Sequence, residues 1–134
     1  MKDIEHAAMM VGMATKDLRA LQGMLDNKTF ADEVFGFHAQ QIVEKSLKAW
    51  LSLLGREYPR IHDLEQLFNL LEDQGIQIPA HFRDLADLTE YSVQFRYEYL
   101  DETDDTIDRP SIINQVKVLF DTVQLALDRE KKHR

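Results

Sequence analysis

Apolar residues recur at helical spacing along almost the whole of this chain. Ile4, Val11, Leu18 and Leu25 repeat at seven-residue intervals, with Ala7, Ala14 and Leu21 between them. This a/d-type seam predicts a first helix from Asp3 to Leu25. The turn formers Asp26-Asn27-Lys28-Thr29 interrupt the seam, so the helix reads as a bundle member and not as an extended coiled coil. A second helix is predicted from Asp32 to Leu54. On a wheel of about 100° per residue, Phe35, Ala39, Ile42, Val43, Ser46, Leu47, Trp50 and Leu54 share one arc. The arc is broader than the stripe of a surface helix, which puts this helix near the centre of the fold.

Gly55 stands where a left-handed C-cap would end that helix. Pro59 then pushes Tyr58 towards an extended conformation. His62-Asp63-Leu64 opens a third helix, with Leu64, Leu67, Phe68 and Leu71 on its buried face and Gly75 at its end. Pro79 starts a fourth helix, and Phe82, Leu85, Leu88 and Tyr91 follow at helical spacing. The run from Thr89 to Tyr97 is rich in β-branched and aromatic residues. It reads as a helical continuation, because a lone strand would have nothing to pair with. Asp101 to Asp108 form an acidic loop. Asp108 is placed to cap the last helix, with Pro110 in its first turn and Ile113, Val116, Phe120, Val123 and Leu127 as its apolar stripe. Lys131, Lys132 and Arg134 suit the dipole at its end. The sum is an all-α fold, an antiparallel up-and-down bundle of about five helices in a single domain over residues 1–134.

At 134 residues and 44% hydrophobic composition, the chain is large enough for one real core and too apolar to be disordered. Its apolar runs are too short to span a membrane. Charges at Lys2, Asp3 and Glu5 fall where a signal peptide needs its apolar region. The chain has no cysteine, which excludes disulfides and Cys-based zinc sites and points to the cytoplasm. A net charge of −8 argues against broad binding to nucleic acid or anionic membrane, while leaving room for a local basic pocket.

The candidate chemistry centres on the second helix. His38, Gln41 and Lys45, at i, i+3 and i+7, lie on the edge of its apolar arc, where polar groups must find partners. In one reading Lys45 neutralises a phosphate, and His38 or Gln41 reads a base or ribose. Arg96 would add a bidentate phosphate contact. Tyr91, Phe95 and Tyr97 could stack a base. In the other reading Gln41 and Lys45 bond to neighbouring helices, His38 fills a half-buried edge and the aromatics belong to the core. Asp63 suits a helix cap, and His62 can bond across the bundle; a catalytic His–Asp pair would lack a nearby nucleophile. The acidic loop lacks the glycine and final glutamate of an EF-hand, and no histidines stand at i, i+4, so no metal site is expected. No phosphate-binding glycine loop, nucleophile elbow or dinucleotide fingerprint implies a cofactor.

Phe37-His38-Ala39-Gln40-Gln41 with Glu44-Lys45 and Leu47-Lys48, then His62-Asp63-Leu64, then Tyr91 to Tyr97, resemble in order and spacing the stand-alone HEPN proteins of bacteria and archaea. The resemblance covers roughly Asp3 to Leu127. It implies a bundle of about five helices, usually dimeric. It also implies association with nucleotides or RNA, and frequent pairing with a minimal nucleotidyltransferase in toxin–antitoxin modules. His38, Gln41, Lys45, Arg96 and Tyr97 are then the expected nucleotide- or phosphate-binding residues. HEPN proteins that cut RNA carry Arg, four to six residues, then His, late in the bundle. Here Tyr97 to Glu102 follow Arg96 without a His, so no catalytic residue is assigned. Arg56 and His62 have a similar spacing but lie in the connection after the second helix. The expectation is a homodimer acting by association. A metal-independent endoribonuclease and a purely structural adaptor are the alternatives.

Overall fold

The computed structural model describes residues 2–92 and 107–133. Arg96, Tyr97, the reading of 93–97 as helix and most of the acidic loop lie outside the described residues. Helix α1 runs Ile4–Gln22 and starts on Asp3, whose carboxylate accepts from the His6 N–H at 3.0 Å. Its seam residues Ala7, Val11, Ala14, Leu18 and Leu21 are all buried. The predicted extension to Leu25 does not form. The helix ends at Gly23, Met24 turns inward in place of Leu25, and Leu25 is exposed.

Helix α2 spans Asp32–Leu53 and α3 spans Leu64–Asp73. Both finish alike. Gly55 and Gly75 adopt positive φ, and the next N–H reaches back to the last turn, Arg56 to Leu51 O and Ile76 to Leu71 O. The Asp63 carboxylate caps α3 by accepting from Glu65 N–H. The fourth predicted helix differs in kind. Helix α4 is a single turn, Ala80–Arg83, and a 3-10 segment continues it over Asp84–Thr89. Phe82, Leu85 and Leu88 are buried and spaced by three, so three residues per turn align them on one line where 3.6 would fan them apart. Helical backbone resumes at 90–92. The last helix, α5, runs Arg109–Lys132, capped by Asp108 with Pro110 in its first turn.

Two contacts fix the directions. Asp3 N–H bonds Ser52 O, and Lys2 pairs with Glu130, so the start of α1 meets the ends of both α2 and α5. Helix α1 is therefore antiparallel to each. Helix α2 packs against α1, α3, α5 and the 3-10 segment and is buried nearly all round. Arg109, 4% exposed, fastens the α1–α2 turn. Its guanidinium donates to Met24 O, Phe30 O and Asp32 Oδ1 at 2.7–2.8 Å and stacks 4.8 Å above Phe35. One turn into α2, Gly36 lets the Tyr91 ring lie against the helix; a Cβ there would overlap the ring. Burial, and then the charges of Glu90, Asp32 and Glu33, push the Tyr91 phenol up to about 12. Among the described residues there is no strand, and no helix is long and apolar enough to cross a membrane.

Candidate functional site

A helix buried on most of its circumference must bring any polar side chain to a partner, and α2 does so on two flanks. On the flank against α1, Lys45 Nζ lies 2.5 Å from Asp17 Oδ2, and His38 Nδ1 lies 3.6 Å from Asp17 Oδ1. The three side chains are only 15–29% exposed. The His38 contact is longer than a hydrogen bond, and its Nδ1 is buried without a partner. The His38 ring meets Phe37 edge-on. So two of the residues singled out by spacing, His38 and Lys45, converge on one carboxylate. Gln41 turns to the other flank, where its Nε2 donates to Gln40 Oε1 at 2.8 Å.

That second flank is a buried network that the sequence pattern did not single out. Gln40, Glu44 and Lys48 repeat at i, i+4 and i+8 and are nearly sealed from solvent. The Glu44 carboxylate accepts from Gln40 Nε2 (2.9 Å), His62 Nδ1 (2.9 Å) and Lys48 Nζ (3.0 Å). Gln40 Nε2 also reaches His62 O. Burial on its own would raise the Glu44 carboxyl. The hydrogen bonds from Gln40, His62 and Lys48, with the Lys48 charge, outweigh it and hold the group below its ordinary range. An ionised carboxylate only accepts, so His62 donates to it through Nδ1–H, and Nε2 lies outside that contact. Lys48 also lies over the Tyr58 ring, whose hydroxyl meets His6 Nε2 at 2.6 Å. Burial, partly offset by a bond with Ser52, raises the Tyr58 phenol.

Each flank is internally neutralised, Lys45 by Asp17 and Lys48 by Glu44. Arg56 is exposed in the connection, and His62 is tied to Glu44, with no hydrogen bond or ion pair joining the two. Among the described residues no three His, Asp or Glu side chains gather as a metal set. Asp17 is 28 residues from Lys45, and His62 is 18 from Glu44. Helical periodicity reveals which face is polar, and the partner opposite it comes from tertiary packing alone. The i, i+4, i+8 spacing of Gln40, Glu44 and Lys48 was the available signal for the second network.

Comparison with known proteins finds one family model, that of the HEPN domain, matching residues 7–126. No curated protein and no solved structure matches the chain.

Proposed function

The chain belongs to the HEPN family, and from that premise we propose that it acts by association, engaging a nucleotide or RNA through the α1-facing flank of α2. Membership supports a role connected with nucleotides or RNA. The observation that carries the reading is the convergence of His38 and Lys45 on the Asp17 carboxylate. Lys45 already holds one carboxylate oxygen, and the unpartnered His38 nitrogen faces the other, so this flank offers a cation and an unused ring nitrogen to a phosphate. Gln41, bonded to Gln40 on the other flank, would join the proposed set by turning to the ligand, and Arg96 and Tyr97 complete that set as a phosphate clamp and a stacking surface. The protein works as a cytoplasmic homodimer, paired with a minimal nucleotidyltransferase in a toxin–antitoxin-type module. Met9 and Met13 on α1, with Val118 and Leu125 on α5, are exposed apolar side chains that support self-association.

Calorimetry with ATP, GTP and a short single-stranded RNA tests this reading. Lys45→Ala and Arg96→Ala should each weaken binding about tenfold, the loss of one charge-assisted contact. Lys117→Ala, on the exposed face of α5, should leave it unchanged. Equal binding by all four proteins would remove the assignment. Light scattering at micromolar concentration tests the dimer, and a monomer there would remove that part.

One observation favours a second reading, metal-independent RNA cleavage. The Glu44-bound His62 is 57% exposed and presents an Nε2 able to take a proton. RNA incubated in EDTA should then be cut by the wild type and left intact by His62→Ala. Intact RNA with both proteins leaves association as the activity.

A further inference from the structure

Asp17 lies outside the residues that spacing singled out, yet Lys45 and His38 both turn to it. Its side chain is 19% exposed, set into the seam between α1 and α2. One oxygen holds Lys45, and the other faces a buried His38 nitrogen that has no hydrogen-bond partner. The carboxylate thus occupies the position a phosphate would need. A phosphate oxygen within hydrogen-bond reach of Lys45 Nζ would lie beside the Asp17 oxygens. Like charges repel more strongly at this partly buried place than in water.

We propose that Asp17 is an internal anion that keeps the site closed to phosphate, and that a nucleotide binds only as the carboxylate leaves Lys45. This rests on the reading of His38 and Lys45 as phosphate ligands and adds to it the residue that sets their affinity. Carboxylate and phosphate present the same kind of acceptor oxygen, so one can replace the other on Lys45 with little change in the cation's geometry. The departing carboxylate sits where the seam meets solvent, so it can exchange Lys45 for water without unpacking the apolar seam.

Calorimetric titration of ATP into wild type, Asp17→Asn, Lys45→Ala and the double variant tests the proposal. Asp17→Asn should bind ATP at least about tenfold more tightly than wild type, with the gain lost in the double variant. If Asp17→Asn fails to fold, Asp17→Ser replaces it. The wild type also gives a readout without substitution. Saturating ATP should shift the carbon-13 resonance of the Asp17 side-chain carboxylate as its contact with Lys45 opens, and an unchanged resonance overturns the proposal. Equal or weaker binding by a folded Asp17 variant, with Lys45→Ala still impaired, overturns the gating role alone. ATP affinity insensitive to Lys45→Ala overturns the phosphate reading itself, and the gate with it.

Discussion

Glu44 and His62 meet across 2.9 Å with opposite exposures, the glutamate side chain 7% and the imidazole 57%. One end of the contact is anchored in the bundle and the other stands in water. The connection after α2 is therefore held to the helix through a carboxylate kept charged by its hydrogen bonds.

That charge predicts an acid limb in stability. The Glu44 carboxyl is depressed in the folded state, so its contribution is fully present above the unfolded pKa. It is lost as pH falls below about 4.5 and through the lower folded value. Urea unfolding across this range should show the loss, and Glu44→Gln should flatten that limb. At pH 7 the variant should be less stable by about 3 kcal/mol, because Lys48 stays buried without its counter-charge. An acid limb unchanged in Glu44→Gln would assign it to other carboxylates.

Arg109 should tolerate no replacement. Arg109→Ala leaves the Met24 and Phe30 carbonyls without their donor and is expected to cost about 3 kcal/mol. Arg109→Lys should recover little of this, because a single ammonium cannot span two carbonyls and Asp32 while stacking on Phe35. Denaturant midpoints of the two variants would measure both.

Gly36→Ala should change sign with its surroundings. With Tyr91 present, the new Cβ meets the ring, and the substitution should destabilise by about 1–3 kcal/mol. In a Tyr91→Ala background the same change should stabilise by about 1 kcal/mol, the ordinary helix preference of alanine over glycine. Ultraviolet titration offers a parallel check, since a displaced Tyr91 phenol should titrate below its present value of about 12.

Ser46 has a buried hydroxyl with no hydrogen-bond partner in the middle of α2. Ser46→Ala should raise stability by about 1 kcal/mol by removing that group and improving helix propensity. A lower urea midpoint would point to a bond made by that hydroxyl.

Much of the bundle could be read directly from the residues. The seven-residue seam of α1, the caps at Asp63 and Asp108, Pro110 in the first turn of α5 and the left-handed glycines 55 and 75 are local features. Each is decided by neighbours within a turn or two. The misjudged places depended on something farther away or finer. Leu25 continued the heptad numerically, but the chain had already turned at Gly23. Phe82, Leu85 and Leu88 fit an α-helix loosely and a 3-10 segment closely, a distinction that spacing by three carries and hydrophobicity does not. At the candidate site, His38, Gln41 and Lys45 were recognisable as polar groups on an apolar helix. Asp17, which decides the charge around two of them, was hidden because α1 supplies it across the seam. Arg109 was hidden for a related reason: a guanidinium is expected at the surface, and only its converging acceptors explain its burial.

The Arg109 clasp also bears on the order in which the molecule is completed. Its acceptors at Met24 and Phe30 precede it by 85 and 79 residues, so on the ribosome the first two helices emerge long before the side chain that seals the bend between them. Until then water must satisfy those carbonyls. The α1–α2 hairpin is finished by a residue made much later, and a nascent chain halted before that arginine would hold these two helices with the bend still unfastened.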